Sequence, residues 1–292
     1  MNQSRLLLQI VLVALVTNCT LASLLTPITN DNIHEAAKAW CNDSATATVI
    51  YGPIGEWDVS EIKDMGDLFY ASNVPGAEKF NDDISSWKTG SVTNMHGMFQ
   101  GASSFNQPLP WDTASVTDMY RMFHTATKFN QPLPWDTSSV TNMHHMFYQA
   151  LAFNHPLNWD VSSVETMDSM FHSASSFNQP IASWDVASTW TMDYMFYNAT
   201  AFNQPVNSWD VSSLATAYNM FRDAKSFDQD LNNWDVSILM NMMYMFNEAS
   251  KFSRQLCWDI PSGCFTGGML DGTAGACIDP TCGRADDDGL YC

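Results

Sequence analysis

The chain has 292 residues, a formal net charge of −19 and only 12 lysines and arginines. That balance excludes a nucleic-acid surface, which needs clustered cations, and disfavours docking on an anionic membrane face. No nucleophile elbow, P-loop or His-Glu-x-x-His motif occurs, so the residues point away from catalysis.

In chain order, Arg5 precedes the apolar run Leu6 to Val16, and Thr20-Leu21-Ala22 places small residues before a cut ahead of Ser23. Residues 1–22 therefore read as a secretory signal peptide, the apolar run being too short to span a bilayer. Residues 23–56 read as an N-terminal cap. Asp31 is expected to N-cap a helix to about Cys41, apolar at Ile33, Ala36, Ala37 and Trp40, before Thr46 to Tyr51 extends into the first repeat.

Residues 57–258 repeat. Trp57, Trp87, Trp111, Trp135, Trp159, Trp184, Trp209, Trp234 and Trp258 recur every 24 or 25 residues after one interval of 30, and all but Trp87 are followed by Asp. A fixed short period marks one supersecondary unit stacked on itself. The spacing from Trp to the second Phe landmark never changes (Trp111 to Phe123, Trp234 to Phe246), while variation is confined to the Asn-Gln-Pro corner. The constant part is a packed segment and the corner a loop. Met143, Met146, Phe147 and Ala150 stand at i, i+3, i+4 and i+7, which predicts one short helix per unit. Val140-Thr141-Asn142-Met143 alternates like a short strand, and Leu133 to Trp135 suggests a second. Asn130-Gln131-Pro132 reads as a turn in which Asn bonds to its own backbone. The expected architecture is an α/β repeat solenoid of about eight units.

Residues 259–292 read as a disulfide-stapled C-terminal cap, small and Gly-rich. Cys41, Cys257, Cys264, Cys277, Cys282 and Cys292 remain once the signal is removed, an even count that implies disulfides in a secreted chain without specifying their pairing. Asn42-Asp43-Ser44 and Asn198-Ala199-Thr200 are candidate glycosylation sequons at Asn42 and Asn198.

Units such as Phe129 to Ala150, Phe-Asn-Gln-Pro-Leu-Pro-Trp-Asp-Thr-Ser-Ser-Val-Thr-Asn-Met-His-His-Met-Phe-Tyr-Gln-Ala, closely resemble the BspA-like leucine-rich repeat surface proteins, the group also called DUF285. The segments Ile33 to Trp40 and Tyr51 to Asp58 resemble the lead-in to such repeats. The resemblance spans about Asp31 to Asp259. It implies a curved leucine-rich-repeat-type solenoid on a secreted or surface-bound protein, of a group often proposed to be adhesive. It transfers no catalytic residue, and the Cys-rich tail falls outside its pattern.

Asp112, Asp136, Asp160, Asp185, Asp210 and Asp235 occupy one equivalent position. Each is expected to cap the turn that follows, accepting backbone N–H groups; the rival reading is a row of weak Ca²⁺ sites. His96 and His144 share a slot two repeats apart, too far to ligate one zinc ion. No other cofactor is expected. The informative variation flanks the constant Met-Phe pair, at Tyr120, Arg121, His144, His145, Tyr148, His172, Tyr194, Tyr197, Tyr218 and Arg222, with His124 in the same set and off-register Trp190 added as an exposed contact residue. This strip is the expected contact face for an extracellular protein or glycan. The expected function is non-enzymatic binding or adhesion. The alternatives are a self-associating wall or matrix component, and an ice- or mineral-binding surface built from rows such as Thr113, Thr137 and Ser138 to Thr141.

Overall fold

The structure, a computed structural model, describes residues 25–279. The expected signal segment, residues 1–22, and the tail cysteines Cys282 and Cys292 lie outside the described residues. Among those described, no helix is long and apolar enough to cross a membrane.

Two helices form the N-terminal cap. Helix α1 spans Ile33–Asn42 and buries Ile33, Ala36 and Ala37. Its N-cap is Asn32 rather than Asp31, and the Asn32 side chain is spent on Pro27 O and Thr29 N–H instead of the helix. Helix α2 spans Ser44–Tyr51, where an extended segment was expected. The β-branched residues there are overruled by the two ends: Asp43 accepts the Thr46 N–H as an N-cap, and Gly52 stops the helix at φ 81°. Trp40 of α1 packs edge-on against Trp57 at 6.0 Å and donates Nε1–H to Asp82.

From Trp57 onward equivalent residues of successive repeats lie side by side. Isolated parallel bridges run Asp64↔Asn94, Asn94↔Asp118, Asp118↔Asn142, Asn142↔Thr166 and so on to Asn241↔Phe265. One bridge residue per repeat replaces the expected strand, and Leu133 to Trp135 is not a strand. The expected helix is absent as well. In its place Met143 to Ala150 form a chain of turns. Met146, Tyr148 and Ala150 donate N–H to the carbonyls three residues back, while His145, Phe147 and Gln149 donate across to Asp168, Met170 and His172 of the next repeat. The backbone enters the left-handed region twice per repeat, at His145 (φ 59°) and Gln149 (φ 52°), and at Arg121, Thr125, Tyr194 and Asn198 likewise. An α-helix would use all these N–H groups internally; the turn chain spends every second one on its neighbour. The apolar spacing suits both, since Met143, Met146, Phe147 and Ala150 are all fully buried.

The hydrogen bonds have a direction. Along the turn segment each repeat donates to the next, as in Phe123 N–H to Met146 O. The first repeat therefore has carbonyls with no preceding repeat, and the cap fills one of them: His34 Nε2 lies 2.9 Å from Gly66 O.

Three aromatic columns make the core. Phe123 stacks on Phe147 at 5.6 Å, Phe147 on Phe153 of its own repeat at 4.1 Å, and Trp135 on Trp159 at 6.1 Å. Each indole N–H donates to a carbonyl of the preceding repeat: Trp135 to Leu109 at 2.9 Å, Trp159 to Leu133 at 3.1 Å. The corner forms an asparagine ladder, not self-contained turns. Asn130 Oδ1 accepts the Asn154 N–H at 3.0 Å, and Asn106 Oδ1 accepts that of Asn130 at 2.9 Å. Arg254 ends the ladder by gripping Asp228 with two N–H groups, each at 3.0 Å.

At the C-terminal end β1, Gln255–Leu256, pairs parallel with β2, Cys277–Ile278. Cys41 and Cys264 are not paired but free. Cys41 belongs to α1, at the other end of the repeats from the cysteine cluster, and burial together with Asp82 and Glu78 pushes its thiol up to about 12.

Candidate functional site

The Trp-Asp position is structural in both residues. Asp136 Oδ1 accepts the Ser138 N–H at 3.0 Å and its hydroxyl at 2.7 Å; Asp160 and Ser162 repeat the arrangement at 3.0 and 2.6 Å. Asp112 and Asp185 face Ala114 and Ala187 and take the backbone N–H alone. These bonds are the expected Asx caps. The serine hydroxyl holds the carboxyls of Asp58, Asp136, Asp160, Asp210 and Asp235 below the usual range. Of the rows in the mineral-binding reading, Ser138, Ser139 and Thr141 are exposed but the two turn threonines are not. Thr113 and Thr137 are 1% exposed and donate to Asp136 O and Asp160 O of the following repeat.

The variable positions beside Met-Phe do come together. Because they occupy the same slots in successive repeats, their side chains stack in register. His124 lies on Tyr148 at 4.5 Å and 4°, Tyr148 on His172 at 4.3 Å, and His172 on Tyr197 at 4.5 Å. Arg222 continues the column, 5.8 Å from the Tyr197 centroid and 5.4 Å from that of Tyr244. A second column stands beside it. Arg121 covers Tyr120 at 4.8 Å, Tyr120 meets His144 at 5.4 Å, and His144 meets His145 at 4.0 Å. Further on, Tyr194 contacts Tyr197, and Tyr218 stands perpendicular to Tyr194 at 5.2 Å. Face-to-face stacking leaves ring edges, not faces, toward solvent, so the surface offers hydroxyls and ring nitrogens.

Trp190 does not belong to this network. It is 53% exposed in the row just before the bridge residues, its N–H on Glu165 O. Conversely, sequence reasoning missed Tyr244, although it shares the slot of Tyr194; it placed Asp168 beside His144 and Asp193 among the variable slots, but missed that both cap the neighbouring repeat. In repeats whose bridge residue is Asn or Asp, that side chain caps the N–H two residues on, as Asn142 does for His144. Thr191 and Thr216 are too short for this. Asp168 of the preceding repeat accepts the Asp193 N–H at 2.9 Å, and Asp193 accepts the Tyr218 N–H at 2.7 Å. Burial raises both carboxyls above their ordinary value.

Burial is also the leading cause of the histidine shifts. His124 and His172 are pushed down to about 4 and His145 to about 3; His144 is lowered too. Arg121 adds to the effect at His124, His144 and His145. At neutral pH the rings are uncharged, and the cations of the strip are Arg121 and Arg222. Asp168 approaches His144 Nδ1 at 3.7 Å. Among the described residues no group of three or more His, Cys, Asp or Glu side chains is placed to hold a metal ion.

The two sequons differ. Asn42 is exposed at the end of α1, whereas Asn198 is half-buried in the left-handed region and donates its amide to Ser173 Oγ.

Stacked units of 24 or 25 residues with shared aromatic columns define a repeat protein. The chain belongs to the family described as "Mycoplasma protein of unknown function, DUF285", whose model matches residues 40–158, 133–221 and 156–259. No curated protein and no solved structure matches it.

Proposed function

We propose that this is a secreted or cell-surface protein with a binding or adhesive role and no catalytic one. It works as a solenoid of about eight units that displays the strip from Tyr120 and Arg121 to Arg222 to an extracellular protein or glycan. The observation that supports this reading is the columns themselves. Other slots repeat core residues or backbone caps, but here Tyr, His and Arg alternate along consecutive repeats and turn polar edges outward. Ordered, half-buried aromatic side chains lose little entropy on contact, which suits an anchor surface. Alanine at Tyr148, His172 and Tyr197 together is expected to abolish binding to cells or to a glycan array; unchanged binding would place the contact face elsewhere.

A second reading rests on a separate patch. Trp190 (53%), Ile238 (49%), Met240 (63%) and Phe265 (64%) are large apolar residues left exposed in the later repeats. Phe265 N–H donates to Met240 O, Met240 N–H to Ala215 O and Ala215 N–H to Trp190 O, so Trp190, Met240 and Phe265 follow one row, with Ile238 two residues before Met240. Such a row supports self-association as a wall or matrix component. Sedimentation velocity distinguishes the two, since a matrix component polymerises at micromolar concentration and a monomeric binder does not.

A further inference from the structure

Among the described residues the buried polar side-chain atoms nearly all find partners, and the exceptions are concentrated. Among the described residues four buried side-chain nitrogens lack any hydrogen-bond partner: Arg121 Nε, His124 Nδ1, His145 Nδ1 and Arg222 Nε. Arg222 still donates to Asn219 Oδ1 at 3.3 Å and lies 3.7 Å from Asp223. The other three belong to one cluster. Arg121 and His145 make no side-chain hydrogen bond or ion pair with any described residue, and His124 has only its own backbone as a partner. Their other contacts are rings: Arg121 on Tyr120, His145 against His144, Tyr120, Tyr148 and, at 6.0 Å, His124. The one carboxylate at hand, Asp168, faces His144 and is already occupied by the Thr191 hydroxyl and the Asp193 N–H.

A guanidinium without a counter-ion, set among imidazoles, is an unfavourable arrangement that an incoming anion would relieve. It is the more notable in a chain of net charge −19. Buried polar groups left without a partner are unfavourable, and Arg presents a planar fork suited to carboxylate or sulfate oxygens. A second arginine, Arg222, ends the same strip four repeats on, roughly 19 Å away at about 4.8 Å per rung. Polar ring edges fill the space between. Two cations at that separation fit an extended chain bearing repeated charges better than a single small ion.

We propose that Arg121, His124 and His145 form a subsite for an oxyanion, a carboxylate or a sulfate ester, carried on a linear anionic polysaccharide. This deepens the function proposed above and rests on it for the kind of partner. The test is calorimetric titration of the full chain at pH 7 with three probes. They are heparin-derived oligosaccharides (sulfate and carboxylate), oligogalacturonate (carboxylate alone) and uncharged dextran. Arg121→Asn is the test variant, because Asn tolerates the left-handed backbone at φ 56°. His124→Gln is a second, and Lys128→Asn, at an exposed lysine, is the charge control. At least one acidic oligosaccharide should bind, with affinity reduced tenfold or more in Arg121→Asn and within twofold of wild type in Lys128→Asn. Binding by heparin alone identifies sulfate as the group; binding by oligogalacturonate identifies carboxylate. Equal loss in Lys128→Asn, no loss in Arg121→Asn and His124→Gln, or dextran binding as well as the acids would overturn the subsite. Tighter binding of polyglutamate than of either saccharide would overturn the polysaccharide. If cells or neutral glycans still bind through Tyr148, His172 and Tyr197 while both acids fail, the strip stands and the anion subsite falls.

Discussion

Acidification is the sharpest perturbation available to this fold. An unfolded histidine takes its proton near 6.5, but the folded strip holds His124 and His172 down to about 4 and His145 to about 3. The sign follows directly. Above 6.5 neither state is protonated and nothing is lost. Between 6.5 and about 4 the unfolded chain binds protons that the folded chain refuses, so stability falls as pH falls. Each pH unit of that gap is worth about 1.4 kcal/mol per ring. The rings keep some solvent contact, and halving for screening leaves roughly 4 kcal/mol lost by pH 4.5 across the three coupled rings. That is comparable with the whole stability of a small domain, about 5–15 kcal/mol. Urea unfolding followed by tryptophan fluorescence at pH 7, 6, 5 and 4.5 measures it. The reference is a variant with His124→Tyr, His172→Tyr and His145→Asn, which keeps the stack and the left-handed backbone. It should lose much less over the same range, His144 being the lowered ring of the strip that it keeps. A flat wild-type curve, or an equal loss in the variant, would refute the reasoning. Below about 3.8 the unfolded chain protonates its aspartates while the folded Asx carboxyls, lowered by their serine hydroxyls, resist, so both proteins should weaken further.

Other outcomes follow from the same geometry. Thr125 is β-branched at φ 56°, so Thr125→Gly exchanges about 1–2 kcal/mol of left-handed strain for a smaller entropy cost and should raise the melting temperature. Trp159→Phe leaves Leu133 O without its indole donor and should cost about 1–3 kcal/mol by urea titration. Millimolar calcium should leave the melting midpoint unmoved, because each Oδ1 of the Asp row is already engaged in its own turn; a clear upward shift would revive the calcium reading. Iodoacetamide followed by peptide mass spectrometry should label Cys264 well before Cys41, whose thiol is pushed up to about 12.

The stack was readable in the sequence because it is built from spacing. Trp, Met, Phe and Ala landmarks are the buried residues, and Asp after Trp is the turn cap. The helix was not readable correctly, because apolar residues at i, i+3, i+4 and i+7 fill the inner side of a turn chain as well as that of a helix. What separates the two is a left-handed residue at each fourth position, and Arg121, His145 and Tyr194 carry no sign of it. The sign was elsewhere in the same slots: Gly97, Gly101, Gly268 and Gly272 all have positive φ. The asparagine ladder was hidden for a related reason. Asn-Gln-Pro favours a turn locally, and only stacking shows that its amides serve the neighbouring repeat. At the contact strip, slot variation located the residues, while the stacking order and the Asp168–Asp193 substitution for short threonines required coordinates.

The directional bonding along the turn segment makes the two ends of the stack chemically unlike. One end is a row of acceptors, tended in part by His34 at Gly66 O, and the other is a row of donors. Unlike ends are complementary to each other. A molecule trimmed of residues 25–56 would present bare acceptors to the donor end of a second such molecule, a head-to-tail contact that no rotation closes. The helical cap thus covers the acceptor end, and its removal is expected to increase head-to-tail association.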